Sequence, residues 1–209
     1  PAGGRVIVGV SESLLASWVP ALLQKVRRQM PELDLVLNAH RSPVAVERVR
    51  AGEYMLALCA GVAADLKDLK VFPLVEEPMV VVPAGLTRLR RKKGQSLKVI
   101  TIENNAATWN CIEVPLRQAQ KSWGFDIEVQ SRLQSFTGIA QLARHGHGHG
   151  LVPLGVARAL GIADRQLFRF LEPQLKRPVG LVGRPTVMAL PLVARFCAAL
   201  QENMQEDWE

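Results

Sequence analysis

Residues 5–38 read RVIVGVSESLLASWVPALLQKVRRQMPELDLVLN, a stretch that predicts a strand, a helix and a second strand in succession. The first apolar run is rich in β-branched residues and consists of Val6, Ile7, Val8 and Val10. A second apolar run follows Pro31 and consists of Leu33, Leu35, Val36 and Leu37. Between the two runs, apolar residues recur at helical spacing from Leu14 to Met30. Pro31 ends this pattern because the residue before a proline avoids the helical conformation. Pro20, which has no backbone donor, predicts a short first turn followed by a kink.

The junction between the first strand and the helix is a candidate ligand site. A parallel strand pair joined by a helix places the end of the first strand beside the helix N-terminus, where open α/β sheets bind ligands. Ser11 and Ser13 lie at this junction. Serines at helix starts more often cap the helix than contact a ligand, so both interpretations stay open at this point.

The rest of the chain alternates strands and helices in two blocks. In the first block, Ser42 and Pro43 predict a helix start, a strand follows at 54–60, and prolines in the apolar run 71–82 favour edge or connecting strands. The second block is predicted to contain strand 97–102, helix 109–123 with a kink at Pro115, strand 125–133, helix 135–145, a short strand to 152, a short helix to 161, strands 167–171 and 177–184, and helix 190–204. This order predicts an α/β fold.

The composition is that of a globular protein with a net charge of +7. No apolar run approaches the ~20 residues that cross a bilayer, and PAGGR at the N-terminus lacks the regions of a signal peptide, so a cytoplasmic protein without membrane contact is expected. No helix-turn-helix or zinc-finger pattern is present, so this chain is not expected to read bases itself. Much of the charge lies in a predicted exposed loop that contains Arg88, Arg90, Arg91, Lys92 and Lys93.

The three cysteines, Cys59, Cys111 and Cys197, are odd in number and lack CxxC spacing, so neither a disulfide framework nor a zinc ribbon is predicted. Their apolar surroundings predict buried thiols, and a redox-sensing pair stays open as an alternative. Catalytic motifs are absent, since there is no GxSxG elbow, P-loop or HExxH, and the paired acids Glu76 and Glu77 predict only a polar strand edge. We therefore expect neither enzyme activity nor a cofactor.

Five segments, in their order and spacing, resemble the effector-binding (regulatory) domain of LysR-type transcriptional regulators. They are GRVIVGVSESLLASWVPALLQKVRRQMPELDLVL, ERVRAG, FPLVEEPMVVVP, LARHGHGHGLVP, and RPVGLVGR followed by LPLVARFCAAL. The resemblance covers nearly the whole chain and implies a two-lobed fold like that of type 2 periplasmic binding proteins. Two crossover hinge strands are then expected near 79–83 and 179–183, with lobe I at 1–83 plus 180–209 and lobe II at 84–179.

The function that this resemblance implies is small-molecule sensing. An effector held in the cleft between the lobes would favour a closed arrangement and thereby control DNA binding and transcription. The family's winged helix-turn-helix would precede Pro1 and is absent from this chain, so DNA is an expected partner through that missing N-terminal domain. A homodimer is expected, with a tetramer for the full-length protein. Met55 stands where the family commonly has an aspartate.

Hydroxyl groups and backbone donors at helix starts favour an anionic ligand, so the resemblance and the residues together predict a small carboxylate-bearing effector. The resemblance supports Ser13 and Ser42 most, and Arg41 is a candidate counter-charge. Phe136 also fits a core position. The full set of ligand-binding candidates predicted for the cleft is Ser11, Ser13, Arg41, Ser42, Thr101, Asn104, Phe136 and Thr137.

Two other functions stay open. A solute-binding protein of a transport system shares the fold but would need an export signal, which the upstream codons would reveal. In HGHGHG, the residues His145, His147 and His149 would project from one side of an extended chain and could bind zinc or nickel in a metal-binding protein or enzyme. Gly146 and Gly148, however, match the glycine-rich turn of the LysR family, which favours the histidines as fillers of variable positions. No metal site is therefore predicted.

Overall fold

The computed structural model describes residues 3–63, 65–90, 92, 94–124, 126–204 and 207–208. The strands are β1 (Arg5–Ser11), β2 (Asp34–His40), β3 (Leu56–Ala60), β4 (Lys70–Val82), β5 (Ser96–Ile102), β6 (Asp126–Leu133), β7 (His149–Pro153) and β8 (Lys176–Gly183). The α-helices are α1 (Glu12–Leu15), α2 (Val19–Gln29), α3 (Ser42–Arg50), α4 (Ala107–Trp123), α5 (Phe136–Arg144), α6 (Leu154–Ala159), α7 (Pro185–Met188) and α8 (Pro191–Asn203). Short 3-10 turns cover Ala84–Leu86 and Asp164–Gln166.

The chain divides into two compact units, each with its own part of the strand set. Unit 1 consists of Pro1–Glu76 and Pro178–Glu209, and unit 2 consists of Glu77–Arg177. Both boundaries fall inside strands, the first within β4 and the second within β8. Each of these strands therefore begins in one unit and ends in the other.

The sheet of unit 1 is built on the opening strand, helix and strand. β1 pairs in parallel with β2 along its whole length, from Arg5 opposite Asp34 to Ser11 opposite His40. β3 pairs with β1 in parallel, and β8 pairs with β3 in the antiparallel direction, which gives the strand order β2-β1-β3-β8. Parallel strands end at one edge of a sheet, so the carboxyl ends of β1, β2 and β3 form the edge where open α/β sheets bind ligands.

Alternation of side chains along these strands separates two apolar cores on opposite faces of the sheet. The larger core contains Val6, Val8 and Val10 of β1 together with buried residues of α2 and α8. The smaller core contains Ala57 and Cys59 of β3 together with buried residues of α3. Burying one such valine or leucine side chain is worth about 1.5–3 kcal/mol, so these cores hold the strand ends in place.

Unit 2 has the strand order β4-β7-β5-β6. β7 is antiparallel to β4, whereas β5 is parallel to both β7 and β6. Helix α5 packs so closely on β7 that a Cβ atom on Gly150 would lie 2.9 Å from the Cβ atom of Ala143, so a larger residue at this position would push the helix away. The side chains that α4 and α5 bury are Thr108, Trp109, Ile112, Leu116, Ala119, Phe136, Ile139, Ala140 and Ala143.

The predicted strand, helix and strand at the N-terminus are confirmed, including the break before Pro20, which separates α1 from α2. Helix α4 runs through Pro115 as one helix. The predicted strand at 167–171 is wrong, since Phe168 forms only an isolated bridge with Val81. The apolar run there is used for aromatic packing instead, because Phe168 meets Trp123 and Phe170 edge to face at centroid distances of 5.3 and 5.2 Å.

Within the described residues, no helix combines the length and the apolar character that crossing a lipid bilayer requires.

Candidate functional site

The strand ends of unit 1 bring two of the predicted serines into buried positions. Ser11 is the last residue of β1 and Ser42 is the first residue of α3, and each is 7% exposed. The Ser42 hydroxyl oxygen accepts a hydrogen bond from the backbone N–H of Ala60 at 3.2 Å, and the Ser42 carbonyl accepts one from the Cys59 thiol at 3.8 Å. Ser42 therefore ties the start of α3 to the end of β3.

Three details of the predicted helix starts differ in the structure. The N-cap position of α1 is Ser11, and Ser13 lies inside that helix, where its carbonyl accepts a hydrogen bond from the Ser17 hydroxyl at 2.6 Å. The N-cap position of α3 is Arg41, so Ser42 does not cap its own helix. Neither Ser11 nor Arg41 makes a capping hydrogen bond through its side chain. A capping role is therefore wrong for the hydroxyls of Ser11 and Ser42, because Ser11 makes no capping hydrogen bond and Ser42 is bonded to a neighbouring strand instead.

Arg41 is half-buried and stands between His40 and Ser42 at the end of β2. The neighbouring His40 packs beside Tyr54. Its Nε2 atom lies 2.6 Å from the phenol oxygen, and the two ring centroids are 5.5 Å apart. The Tyr54 ring in turn covers Gly9 of β1, where a Cβ atom would meet it at 2.7 Å. These contacts fix the end of β2, and with it the backbone that carries Arg41.

In unit 2, Thr101 is fully buried near the end of β5, and Asn104 is exposed in the turn that follows. The Thr101 hydroxyl donates to the Ile102 carbonyl at 3.1 Å and accepts a hydrogen bond from Arg132 Nη1 at 3.3 Å. Arg132 Nη1 also donates to the Ile102 carbonyl at 3.1 Å. One nitrogen of this guanidinium group is thus anchored on the end of β5.

A β-bulge brings Arg132 to this position. Val99 lies opposite Val129, but Ile100 lies opposite Ser131, so Gln130 is the extra residue on β6. Without the bulge Thr101 would lie opposite Ser131, whereas with it Thr101 lies opposite Arg132. Bulges re-aim side chains and are frequent beside binding sites. Here the bulge places an arginine next to a buried threonine.

The Arg132 guanidinium also stacks on an indole ring. Its central carbon lies 4.3 Å from the ring centroid of Trp109, which is in the first turn of α4 and is 7% exposed. A cation held this close to a tryptophan face gains about 0.5–1 kcal/mol at an exposed site. Arg132 itself is exposed. The group is therefore held over the indole ring, while the side chain as a whole stays exposed to solvent.

The start of α5 carries the last two candidates. Ser135 caps this helix, because its hydroxyl oxygen accepts a hydrogen bond from the Gly138 N–H at 3.0 Å. Thr137 is half-buried, and Phe136 is buried at 7% exposure, in agreement with the alternative that assigned Phe136 to the core. The Phe136 ring lies 5.5 Å from the guanidinium carbon of Arg177.

Arg177 forms a buried ion pair with Glu77. Arg177 Nε donates to Glu77 Oε2 at 2.7 Å, and Nη2 lies 2.7 Å from the same oxygen. The two side chains are 1% and 0% exposed. The expectation that Glu76 and Glu77 form a polar strand edge is therefore wrong for Glu77, because its side chain is fully buried and paired with Arg177.

Two histidines of the HGHGHG segment, His145 and His149, have hydrogen-bond partners within the chain. Among residues 3–63, 65–90, 92, 94–124, 126–204 and 207–208, no set of three or more histidine, cysteine, aspartate or glutamate side chains could hold a metal ion. His149 Nδ1 accepts a hydrogen bond from the Ala84 N–H at 3.0 Å, and burial lowers the pKa of His149. His145 Nδ1 lies 2.8 Å from the Gln141 carbonyl.

The predicted burial is confirmed for Cys59 and Cys197 and is wrong for Cys111, which is only half-buried. Burial raises the pKa of Cys59 to about 12 and that of Cys197 to about 11. Cys59 lies in the smaller core and Cys197 in the larger core on the other face of the sheet, so these two cannot pair. Cys111, on α4 in unit 2, is half-buried.

Sequence reasoning did not single out Arg132 and Trp109, which the structure places beside Thr101 and beside each other. The rule that ligands bind at the carboxyl ends of parallel strands points to the end of β6 as well as that of β5, so it could have included Arg132. The bulge at Gln130, which decides which β6 residue lies opposite Thr101, has no marker such as glycine or proline in the sequence.

The chain is similar in sequence to a family of known domains and to transcriptional regulators. The family model of the LysR substrate binding domain matches residues 1–205. An uncharacterized HTH-type transcriptional regulator of Vibrio cholerae serotype O1 is 28% identical over 194 residues, which cover 92% of this chain and 63% of that protein. The malonate utilization transcriptional regulator of Klebsiella pneumoniae is 23% identical over 188 residues, which cover 86% of this chain and 59% of that protein. The chain thus spans about three fifths of the length of these curated relatives.

Solved structures show the same fold. The reduced regulatory domain of OxyR2 from Vibrio vulnificus has a TM-score of 0.76 at 16% identity, with 97% of both chains covered. The effector binding domain of QuiR in complex with shikimate has a TM-score of 0.74 at 15% identity, with 95% of this chain and 96% of that chain covered. The predicted mixed α/β fold, like that of periplasmic binding proteins, is confirmed by these matches.

Proposed function

This chain belongs to the family of LysR substrate-binding domains, and we propose that it senses a small carboxylate-bearing effector and thereby controls transcription. The observation that supports a carboxylate-bearing ligand is that each unit has an arginine beside a buried hydroxyl group at its strand ends. Arg41 adjoins Ser42 at the end of β2, and Arg132 contacts Thr101 at the end of β5. Arginine recognises carboxylates through parallel hydrogen bonds, and hydroxyl groups can add a further donor.

The proposed contacts in unit 1 are Ser11, Ser13, Arg41 and Ser42, and those in unit 2 are Thr101, Asn104, Phe136 and Thr137. Burial of Ser11 and Ser42 supports direct roles, because a hydroxyl group shielded from water makes stronger hydrogen bonds. The Thr101 hydroxyl already donates to the Ile102 carbonyl, so its part in the proposal is to hold Arg132. Ser42 would use its hydrogen for the ligand, since its oxygen already accepts from Ala60.

A carboxylate is also supported by the QuiR domain, which was solved in complex with shikimate, a ring compound with one carboxylate group. Control of transcription is supported by the curated relatives, which are transcriptional regulators. We include DNA as a partner of the whole protein, and a homodimer as its assembly, in the same proposal. Light scattering on this chain should give a dimer, and a monomer at high concentration would contradict that part.

The test of the proposal is a thermal-shift screen of metabolite carboxylates, followed by affinity and melting temperature for Ser13→Ala and Ser42→Ala. Removing a hydroxyl bond to a charged ligand should cost about 1.5–3 kcal/mol, roughly ten- to a hundredfold in affinity. Ser17→Ala is the matched control for Ser13, because it removes a nearby hydroxyl whose hydrogen bond goes to the Ser13 carbonyl.

For Ser42→Ala a loss of stability is also expected, of about 1 kcal/mol, because the Ala60 N–H loses its acceptor. If Ser13→Ala and Ser42→Ala bind the ligand as the parent does and only melt earlier, the site assignment in unit 1 is wrong.

A further inference from the structure

We propose that Arg132, stacked on Trp109 and anchored on Thr101, is the residue of unit 2 that binds the effector's carboxylate. This inference rests on the proposed function and names the charged group that recognises the ligand in unit 2. It follows from three features of the described residues, namely the bulge, the stacking and the hydrogen bonds of Nη1, all of which act on one side chain.

The hydrogen bonds determine which edge of the guanidinium group faces a ligand. Both bonds to the end of β5 use Nη1. The opposite edge of an arginine consists of the Nε and Nη2 donors, which point in parallel and match the two oxygens of a carboxylate. A ligand that binds this edge would therefore leave the contacts with Thr101 and Ile102 intact.

Stacking on Trp109 makes the group rigid before the ligand arrives. The guanidinium carbon lies over the indole ring, 4.3 Å from its centroid, so this contact restricts the movement of the group. A long side chain normally loses rotamer freedom on binding, and this loss of entropy weakens affinity. An arginine that is already fixed avoids much of that loss. The stacking thus favours ligand binding by Arg132.

The bulge is the feature that a purely structural role does not require. A regular pairing of β5 and β6 would place Ser131 opposite Thr101 and would keep the hydrogen-bond ladder intact. The chain instead interrupts the ladder at Gln130, and the result is a charged side chain at the strand ends where open α/β sheets bind ligands. This combination distinguishes Arg132 from ordinary surface arginines such as Arg117, which pairs with Glu113 on α4.

The test uses malonate and shikimate as probes, with sodium chloride at matched ionic strength as the baseline. Nitrogen NMR of the arginine Nε groups should show a saturable shift of Arg132, while Arg117, whose side chain is 70% exposed, should follow ionic strength alone. Arg132→Gln should weaken carboxylate binding by about ten- to a hundredfold. Arg132→Lys should restore only part of it, since lysine lacks the paired donors. Arg117→Gln should change nothing.

Two results would overturn the inference. One is a shift of Arg132 that matches that of Arg117 with both probes, and the other is unchanged affinity in Arg132→Gln. The proposed function is judged separately, by whether the metabolite screen finds an effector. An effector that is lost in Arg41→Gln but kept in Arg132→Gln would retain the proposed function and reject the role of Arg132. Saturable binding of malonate at Arg132, with no effector found in the screen, would support the role of Arg132 in carboxylate binding and count against the proposed function.

Discussion

The buried ion pair between Glu77 and Arg177 gives the sharpest prediction for stability. Replacing Arg177 by methionine leaves the Glu77 carboxylate in a position that is 0% exposed, without the guanidinium group that now lies 2.7 Å away. Breaking a buried pair by removing one partner costs about 3–5 kcal/mol, because the other charge loses its compensation. Domains of this kind are stable by about 5–15 kcal/mol, so Arg177→Met should remove a large part of the stability of unit 2.

A double-mutant cycle separates the ion pair from packing. Glu77→Gln should cost about as much as Arg177→Met, since it leaves a buried guanidinium group uncompensated. The double variant Glu77→Gln with Arg177→Met contains no unpaired charge, and we expect it to cost less than the sum of the two, with a coupling of up to about 3 kcal/mol. The contact of Arg177 with the Phe136 ring is lost in both variants that lack Arg177, so it cancels in the cycle.

Urea unfolding followed by tryptophan fluorescence is the assay. Trp109 and Trp123 report on unit 2, and Trp18 and Trp208 report on unit 1. The matched control is the pair Arg117 and Glu113 on α4, at 2.8 Å but with side chains 70% and 40% exposed, for which a loss of at most about 0.5 kcal/mol is expected. If Arg177→Met unfolds at the same urea concentration as Arg117→Met, the reasoning about burial is refuted.

Three further predictions concern titration, thiol chemistry and charge. Because the pKa of His149 is lowered, its contribution to stability should be complete above about pH 6.5, the ordinary histidine value, and should decline as pH falls from there toward the lower native pKa. His149→Asn, which keeps an acceptor for the Ala84 N–H, should remove that decline in urea midpoints, and an unchanged pH profile would contradict it. Cys59 and Cys197, with pKa values raised to about 12 and about 11, should react with a thiol reagent far more slowly than half-buried Cys111 in the native protein, and equal rates would reject this order. Neutralising the exposed Arg88, Arg90 and Lys92 together should leave the effector affinity measured by calorimetry largely unchanged. A large loss of affinity would show that the loop takes part in binding. Arg91 and Lys93 of the same predicted loop lie outside the described residues.

The spacing of apolar residues correctly predicted the strands and helices whose buried residues recur at regular intervals. In the opening stretch, the valines of β1 and the apolar residues of α2 repeat at the spacings of a strand and a helix because each element has one continuous buried face. The same rule failed at 167–171, where the apolar residues are buried by aromatic packing against Trp123 and not by strand pairing. An apolar run indicates burial, and whether a strand ladder or a ring cluster provides that burial depends on residues far away in sequence.

The sequence could predict a site residue only where that residue lies at the end of a predicted strand, and it could not predict contacts between distant parts of the chain. Ser11 and Thr101 could be placed because they lie at the ends of predicted strands. The partner of the Ser42 hydroxyl is the N–H of Ala60, 18 residues further on, and depends on how α3 packs on β3. Arg132 faces Thr101 because of one extra residue in β6, and such a register shift changes every later pairing on the strand.

The two adjacent glutamates show what kind of information local sequence lacks. Successive side chains on a strand point to opposite faces, so Glu76 and Glu77 face different surroundings. Glu76 is exposed and Glu77 is fully buried, and every residue of β4 from 77 to 82 is buried, so burial along this strand changes at Glu77 and does not alternate. A buried carboxylate is stable only with a partner, and this partner is Arg177, 100 residues away. Since β4 and β8 are the two strands in which the chain passes between units, the pair joins the positions where the chain enters and leaves unit 2. Its loss should therefore weaken the attachment of both strands to unit 2 at the same time.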